Sequence, residues 1–445
     1  MKKLITLVIC AMVVVSCSKE ESYEPVSTLD ADLTKMLLKR ANNASISFFE
    51  LPASNDYSKI PQDPNNPITE DKVILGKLLF HETALAQNPK HTDGIGTYSC
   101  ASCHHSKAGF QSCKKQAIGD GGSGFGASGE LRTMGANYTN ETVDVQPIKS
   151  PSILNGAYQK VTLWNGQFGA TGMNSNTQSE WTIGTPKETN NLGFEGLETQ
   201  AIAGLTVHRL KVNSSIIENL GYKTLFDKAF ANVNENERYS VKNAGLAIAA
   251  YERTVVADEA PFQEWLKGDN NAMSDDEKKG AILFFDKGKC YQCHNGPSLN
   301  SMDFVALGMK DLEGAGVLGN PVDDATKKGR GGFTKNPDDN YKFKVPQLYS
   351  VKYNGFYGHG SSFTSIKKII EYKNNAVKEN NDVPNISIDN RFKPLNLSEE
   401  EIALLTLFVE KSLNDKNLER YVPDNVMSNN CIPNNDAQSQ LDICN

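Results

Sequence analysis

Cys-Ala-Ser-Cys-His at residues 100–104 and Cys-Tyr-Gln-Cys-His at residues 290–294 are the two stretches that decide the class of this protein. Both follow the pattern C-x-x-C-H, the signature of c-type haem attachment. In this pattern two thiols add across the haem vinyl groups, and the histidine lies under the iron as its proximal ligand. The sequence therefore predicts two covalently bound c-type haems, held by Cys100, Cys103, His104, Cys290, Cys293 and His294.

Paired cysteines also occur in zinc sites and in redox dithiols. A structural zinc site needs four ligands, often from a second C-x-x-C nearby, but here the two pairs begin at positions 100 and 290. A dithiol needs no histidine after each pair. Haem attachment is therefore the favoured interpretation of both motifs.

Similar landmarks surround the two motifs in the same order. An apolar run precedes each motif, a segment with Ser-Pro or Val-Pro follows it, and a turn containing glycine comes next. The landmarks are residues 75–80, 150–155 and 164–166 around the first motif, and residues 279–284, 345–350 and 358–360 around the second. Such internal repetition indicates two related domains.

Helices dominate the predicted elements. Thr69 can cap a helix before the first motif, and Ser-x-x-Glu capping boxes begin at Ser274 and Ser398. Residues 119–129 and 317–340 are rich in glycine and polar residues, which predicts loops. The fold class we expect is mainly α, with two cytochrome c-like helical domains, long loops and one c-type haem in each domain.

The predicted boundaries divide the chain into five parts. They are a lipoprotein signal peptide at residues 1–17, a tether and leading helix at residues 18–67, an N-terminal cytochrome c-like domain at residues 68–257, a C-terminal cytochrome c-like domain at residues 258–422 and a polar C-terminal tail at residues 423–445. Within the second part, residues 30–40 form the helical stretch, and prolines then break regular structure.

The N-terminus has the pattern of an export signal. Lys2 and Lys3 precede an apolar run at residues 4–15 that is too short to span a bilayer. It ends in Val-Val-Ser-Cys, which resembles a lipoprotein processing site with Cys17 as the lipidated residue. Ordinary signal cleavage or an uncleaved anchor are the alternatives. We expect an exported, periplasmic protein that is anchored to the membrane by lipid.

Charge, length and cysteine content limit the partners, the number of domains and the disulfides that the sequence allows. The net charge is -7 and no basic block is present, which argues against nucleic acid as a partner. The 445 residues leave room for two ordinary domains. In an oxidising compartment Cys431 and Cys444 can form a disulfide, and a link from Cys113 to the tail remains open.

Taken together, the landmarks resemble the bacterial dihaem cytochrome c peroxidase family, which also includes the MauG-type tryptophan-oxidising enzymes. The resemblance covers residues 68–415. It implies that the haem of the N-terminal half reacts with hydrogen peroxide, and that the haem of the C-terminal half receives electrons from a small donor protein, a cytochrome c or a cupredoxin. It also implies that Trp164 lies between the haems and carries electrons; core packing is the alternative.

Two positions depart from the family pattern. Asp120 stands where many members have a histidine that caps the peroxide-binding iron, so the resemblance implies an open first haem. His81, His91 or His105 could fill that place instead. The asparagine that binds calcium between the family's domains is replaced by Lys149, which makes calcium uncertain here.

The sixth ligand of the second haem is a methionine or a tyrosine in the family. Spacing from the Gly-His-Gly turn at residues 358–360 gives Tyr372, and the sequence has no methionine between Met309 and Met427. A phenolate would favour the ferric state and lower the reduction potential. Packing of Tyr372 in a helix, and ligation by His359, are the alternatives.

The acid–base residue of the family lies ten residues after a glutamine, which is Gln200 here. Leu210 occupies that position, and His208 and Arg209 precede it. Peroxide cleavage needs a group that moves a proton between the two oxygens, and a nearby positive charge helps. We therefore expect His208 to act as acid–base and Arg209 as charge stabiliser. A solvent-facing helix is the alternative, and further candidates are Glu195 and Glu198.

Three functions follow from these features. The first is a peroxidase that reduces hydrogen peroxide to water with electrons from a small periplasmic redox protein. The second is a MauG-like enzyme that oxidises residues of a partner protein. The third is an electron carrier with two haems and no enzymatic activity.

Overall fold

The structure, a computed structural model, describes residues 28–444 and is mainly helical, as the sequence predicts. The predicted signal peptide and Cys17 lie outside the described residues. The helices are α1 Thr28–Arg40, α2 Glu70–His81, α3 Gly196–Val207, α4 Ser214–Asn219, α5 Lys223–Ala229, α6 Glu235–Arg238, α7 Val241–Thr254, α8 Pro261–Leu266, α9 Asp275–Phe285, α10 Asp324–Lys327, α11 Arg330–Thr334, α12 Ile366–Asn375, α13 Glu399–Leu407 and α14 Ala437–Ile443. The strands are β1 Gly122–Ser123, β2 Thr133–Met134, β3 Phe304–Val305 and β4 Phe343–Lys344.

The predicted helix starts are confirmed. The Thr69 side chain accepts a hydrogen bond from the backbone of Lys72 and caps α2. Reciprocal capping boxes form at Ser274 before α9 and at Ser398 before α13. These contacts are local in sequence, so the residues that make them can be identified without tertiary structure.

The two predicted loops are partly wrong, because each contains short regular elements. β1 lies in residues 119–129 and pairs antiparallel with β2. Residues 317–340 contain α10 and α11. Partners just beyond the end of each loop fix these elements: the backbone N–H of Arg330, for example, donates to the Lys342 carbonyl at 2.8 Å. Composition alone does not show such partners.

In both halves, a glycine lets the helix that precedes the C-x-x-C-H motif pack closely against a second helix. Gly76 of α2 lies against the backbone of Ala247 in α7, and Gly280 of α9 lies against the backbone of Leu404 in α13. A Cβ at Gly76 would come within 1.9 Å of the Ala247 oxygen, and one at Gly280 within 2.2 Å of the Leu404 oxygen. Glycine therefore allows both helix pairs to cross closely, which agrees with the repeated landmarks in the sequence.

The leading helix packs on the half that carries the second motif. Asp30 of α1 pairs with Lys278 of α9 at 2.8 Å and accepts a hydrogen bond from the Trp265 indole at 2.7 Å. Arg40 donates to the carbonyl of Phe285 at 2.7 Å, and its guanidinium lies 3.7 Å from the ring centre of Tyr291, inside the second motif. The leading helix thus supports the second haem-attachment site.

The C-terminal tail packs on the half that carries the first motif. The Pro433 carbonyl accepts hydrogen bonds from the hydroxyls of Ser99 and Ser102, which flank the cysteines of that motif. Cys431 and Cys444 form the disulfide that the sequence allows. Cys113 is not linked to the tail, and its thiol donates to the Ser128 carbonyl.

A single large apolar cluster runs through both halves of the described chain. It includes Leu79 and Tyr251 from the first half, and Phe284, Leu405 and Phe408 from the second. Within residues 28–444, no helix is long and apolar enough to cross a bilayer.

Candidate functional site

The first C-x-x-C-H motif forms a short helical turn that directs its histidine. The turn spans Cys100–Ser102, and the backbone N–H of His104 donates to the Cys100 carbonyl at 3.2 Å. The His104 Nδ1 lies 3.4 Å from the Phe110 carbonyl, which leaves Nε2 for iron. Burial lowers the pKa of His104 to about 4, so the imidazole is neutral and able to ligate a metal.

The second motif repeats this geometry. The turn spans Cys290–Gln292, and the backbone N–H of His294 donates to the Cys290 carbonyl at 2.8 Å. The His294 Nδ1 lies 3.0 Å from the Leu299 carbonyl. Burial again lowers the histidine pKa to about 4. Each motif therefore offers two thiols and one neutral imidazole nitrogen, the donor set that a c-type haem uses.

A large cavity opens in front of the second motif. Its empty volume is about 1520 Å³, open solvent included, and Cys290, Cys293 and His294 lie in its wall. Much of the rest of the wall is aliphatic or aromatic, including Phe284 and Leu348. The size and the lining fit a haem, whose ring is apolar.

Trp164 stands between two cavities. It lines the cavity of the second motif and also a neighbouring one whose wall includes Pro151 from the first half. Its indole N–H donates to the Lys149 carbonyl at 2.8 Å, and its carbonyl accepts from the backbone of Lys344 at 2.7 Å. The ring is thus held in place between the two halves.

His208 and Arg209 each bind a buried carboxylate near the first motif. His208 Nδ1 lies 2.8 Å from Asp144 Oδ2, and Arg209 Nη1 lies 2.5 Å from Asp120 Oδ2. The hydroxyl of Tyr98, two residues before the first cysteine of that motif, donates to the Arg209 carbonyl at 3.4 Å. The structure therefore places both predicted residues near the first C-x-x-C-H motif.

Electrostatics favour a charged form of the His208–Asp144 pair. Burial disfavours the His208 imidazolium, but the charge of Asp144 and its hydrogen bond outweigh this effect and raise the pKa of His208. Burial likewise opposes ionisation of Asp144, yet the charges of His208 and Arg209 lower the pKa of Asp144. The imidazole thus has a partner that fixes its orientation and strengthens it as a base.

Asp120 is engaged by protein donors. Its carboxylate accepts hydrogen bonds from the Tyr138 hydroxyl at 2.5 Å, from the backbone of Lys90 at 2.8 Å and from Arg209. A carboxylate satisfied in this way has little capacity left for an iron ligand. This agrees with the expectation that Asp120 does not cap the first haem.

The three histidines considered as replacements lie in different surroundings. His81 is buried against Tyr251, with Nδ1 2.8 Å from the Lys77 carbonyl. His105 packs on Phe125. His91 packs on Tyr138, whose hydroxyl donates to Asp120. Of the three histidines, it is the one that lies next to the hydrogen bonds around Asp120.

The two alternative glutamates belong to a buried ion cluster. Arg253 pairs with Glu198 at 2.7 Å and with Glu195 at 3.1 Å. Both carboxylates are therefore occupied.

Gln200 is half-buried on α3, two turns before His208. Gly204 lies between these two residues on the helix, and because it has no side chain, the space between Gln200 and the His208 ring is not filled.

Tyr372 requires a correction, because it does not line the cavity of the second motif. Its hydroxyl donates to the Leu307 carbonyl at 2.6 Å, and its ring packs between Phe363 and Phe392. The packing alternative describes this residue better than the ligand prediction. His359 does line the cavity, and it stacks on Phe343 with ring centres 3.6 Å apart.

Lys149 occupies the place where the family resemblance implied a calcium ligand. Its buried amine donates to the carbonyls of Ser112 and Lys114, both at 3.0 Å. These carbonyls are the kind of ligand that calcium uses, and the amine already binds them, so the residues do not fit calcium there. Among residues 28–444, no group of three or more His, Cys, Asp or Glu side chains is placed to hold a bare metal ion.

Sequence reasoning missed several residues of these sites. Asp144, Tyr138 and Lys373 are not part of any motif, and they join the sites only through tertiary contacts. One sequence signal existed for Lys373: it lies three residues after Ile370 on the apolar stripe of α12, where a charged residue is unusual.

Comparison with known proteins places this geometry in context. The family model for di-haem cytochrome c peroxidase matches residues 70–271. Cytochrome-c peroxidase IdrP1 of Pseudomonas sp. (strain SCT) is 28% identical over 411 residues, covering 86% of this chain and 91% of that protein. Methylamine utilization protein MauG of Methylorubrum extorquens is 28% identical, covering 79% of this chain and 80% of that protein.

Further relatives and solved structures agree with this picture. Cytochrome c551 peroxidase of Pseudomonas aeruginosa is 28% identical, covering 73% of this chain and 79% of that protein. A MauG-like protein associated with microbial copper homeostasis has a similar fold, with a TM-score of 0.57 at 20% identity over 84% of this chain and 98% of that one. The dihaem peroxidase BthA of Burkholderia thailandensis gives a TM-score of 0.51 at 16% identity over 80% and 88%.

Proposed function

Since this chain belongs to the dihaem cytochrome c peroxidase and MauG family and is an oxidoreductase of the cytochrome-c peroxidase type, we propose that it reduces hydrogen peroxide to water with electrons from a small redox protein. The reaction takes two electrons and two protons for each peroxide and releases two waters. When bound at the first motif, the haem supplies the iron at which peroxide is reduced.

This proposal rests on two ion pairs beside the first motif, His208–Asp144 and Arg209–Asp120. Neutral His208 accepts a proton from one peroxide oxygen and returns it to the oxygen that leaves as water. Asp144 holds the imidazole in the required tautomer. Arg209 stabilises negative charge on the departing oxygen. Its backbone is in the left-handed region with φ +61°, a conformation that non-glycine residues rarely keep without a reason in the surrounding structure.

Electrons enter at the second motif in this proposal. The apolar cavity excludes water from a haem bound at Cys290, Cys293 and His294. Trp164 lies in the wall of this cavity and of a neighbouring one that reaches Pro151 of the first half, and it is held by the backbones of Lys149 and Lys344. We assign it the relay between the two haems.

We also propose that the protein works outside the cytoplasm as a lipoprotein, because of its N-terminal pattern of charge, apolar run and Cys17. Metabolic labelling with a palmitate analogue tests this part. Label that disappears in Cys17→Ala is the expected result, and an unlabelled wild-type protein would contradict it.

Stopped-flow kinetics of the holoprotein test the peroxidase function. Reduced cytochrome c is mixed with the enzyme and hydrogen peroxide, and its oxidation is followed by absorbance. We expect catalytic oxidation that His208→Ala slows by about 10²- to 10⁴-fold, the usual contribution of a general acid–base. The matched control is Thr206→Ala, an exposed neighbour at the end of the same helix, which should leave the rate unchanged.

Two results would contradict the proposal. If two haems are attached and the wild-type protein consumes no peroxide, the chain is an electron carrier. If peroxide reacts at wild-type rate in His208→Ala, another residue moves the proton.

A further inference from the structure

We propose that Lys373, and not Tyr372, provides the axial ligand opposite His294 for a haem bound at the second motif. The inference rests on the haem attachment that the proposed function assumes. Once its ammonium had released a proton to solvent, Lys373 would offer a neutral nitrogen lone pair to the iron of such a haem.

The register of α12 carries the argument. Four of its side chains line the cavity: Ile366, Ile369, Ile370 and Lys373. Their spacing of three, four and seven residues is that of one helix face. Tyr372 is one residue away from this face, which rotates it by about 100° around the helix axis. Lys373 is therefore the residue at the end of α12 that faces the haem site.

Tyr372 is committed to a different neighbourhood. Its hydroxyl donates to the Leu307 carbonyl, and its ring lies 4.9 Å from Phe363 and 5.1 Å from Phe392, measured between ring centres. Moving the phenol into the cavity would break this hydrogen bond and leave a partly buried carbonyl unpaired. The hydroxyl therefore stays where it is.

The Lys373 amine is placed for ligation and has no competing polar partner. Within residues 28–444 it forms neither a hydrogen bond nor an ion pair, and its aromatic neighbour Phe392 lies 5.0 Å from the ammonium nitrogen. Lys373 lines the same cavity as Cys290, Cys293 and His294. Its side chain thus faces the space that a haem held by those three residues would occupy.

His359 is the main competing donor in the cavity wall, because its buried Nε2 forms no hydrogen bond with the residues that the structure describes and lies 3.5 Å from Asp311 Oδ1. Its ring is fixed by a stack on Phe343. The amine of Lys344 donates to the side chain of Gln159. The Met309 sulfur packs against the turn at Gly358. Lys373 differs from His359 in that its amine stands on a flexible four-carbon stem, whereas the His359 ring is held in its stack.

Electron paramagnetic resonance and optical spectra of the oxidised holoprotein test the inference. We expect the second haem to be six-coordinate and low-spin. Lys373→Ala and Lys373→Arg should both lose that low-spin signal and give a high-spin one, since arginine keeps the charge but cannot ligate. Lys373→Met should restore a low-spin signal and raise the reduction potential of this haem, because a thioether favours the ferrous state. Tyr372→Phe is the matched control and should keep the wild-type spectrum.

Several outcomes would overturn the assignment. One is a wild-type spectrum in Lys373→Ala, and another is loss of the low-spin signal in Tyr372→Phe. Loss of the signal in Met309→Leu or His359→Phe, with Lys373→Ala unchanged, would identify a different ligand. Mass spectrometry of each variant separates this failure from failure of the proposed function: a chain without haem at Cys290 and Cys293 refutes both, whereas a chain with two haems and unchanged spectra refutes only the ligand.

Discussion

The two C-x-x-C-H motifs share one local geometry, yet their surroundings differ. Beside the first motif, His208, Arg209, Asp120 and Asp144 form a network of charged hydrogen bonds. Beside the second, much of the wall is apolar, and Lys373 projects from the face of α12. The first setting suits proton transfer and the second suits electron transfer. The comparison teaches that the motif fixes the cofactor, while the residues facing it decide what the cofactor does.

The largest effect in this comparison is expected from a change to the charged residues beside the first motif. Arg209→Ala removes the charge that stabilises the departing oxygen, so we expect the rate of peroxide reduction to fall by about 10²- to 10³-fold. Stopped-flow mixing with peroxide measures the rate. The control is Arg238→Ala, which removes another arginine of the same half that pairs with an aspartate. A loss of rate in both variants would show that the effect is not specific to the site.

The buried amine of Lys149 in the first half gives a smaller effect. Lys149→Met leaves the carbonyls of Ser112 and Lys114 without their donor, and we expect the free energy of unfolding to fall by about 1–3 kcal/mol. Chemical denaturation measures this, with the exposed Lys107→Met as the control.

The same experiment examines calcium. Because the amine of Lys149 occupies the carbonyls, neither added calcium nor a chelator should change the unfolding of the wild-type protein. A wild-type protein that loses stability on chelation would contradict this account.

The smallest expected effect is on the pH dependence of peroxide reduction at the first motif. The pKa of His208 is raised, so its imidazole stays protonated to a higher pH than usual and cannot yet accept a proton. The rate of peroxide reduction should therefore rise about tenfold per pH unit as pH increases toward that pKa, and level off above it. Asp144→Asn removes the charge that raises the pKa, so the rate should level off at a lower pH. A profile unchanged by Asp144→Asn would show that His208 is not the group that titrates.

The free energy of unfolding should also depend on pH. On the alkaline side it should fall as pH rises, whereas the rate of peroxide reduction rises. The raised pKa of His208 contributes stability at low pH that is lost as pH rises through it. The lowered pKa of Asp144 contributes stability at higher pH that is lost as pH falls through it. The pair therefore stabilises the fold in the window between the two pKa values. Thermal unfolding of Asp144→Asn against pH measures the contribution of this pair.

Much of the fold and part of the site could be predicted from local sequence. The capping boxes at Ser274 and Ser398 form as expected, since each needs only residues three apart. The repeated glycines at positions 76 and 280 mark the same helix crossing in both halves. The loop prediction at residues 317–340 was partly wrong, because α11 depends on a partner strand segment near Lys342.

The sequence by itself determined the two C-x-x-C-H motifs, with His104 and His294 as their histidines, and predicted the mainly helical fold. These follow from covalent chemistry and from contacts within one helical turn. Only the tertiary structure decided that His208 and Arg209 meet Asp144 and Asp120. It also decided that Lys373, and not Tyr372, faces the second cavity. The reason is that one residue along a helix turns a side chain by about 100°, and the packing of α12 against the rest of the chain sets which face meets the haem site.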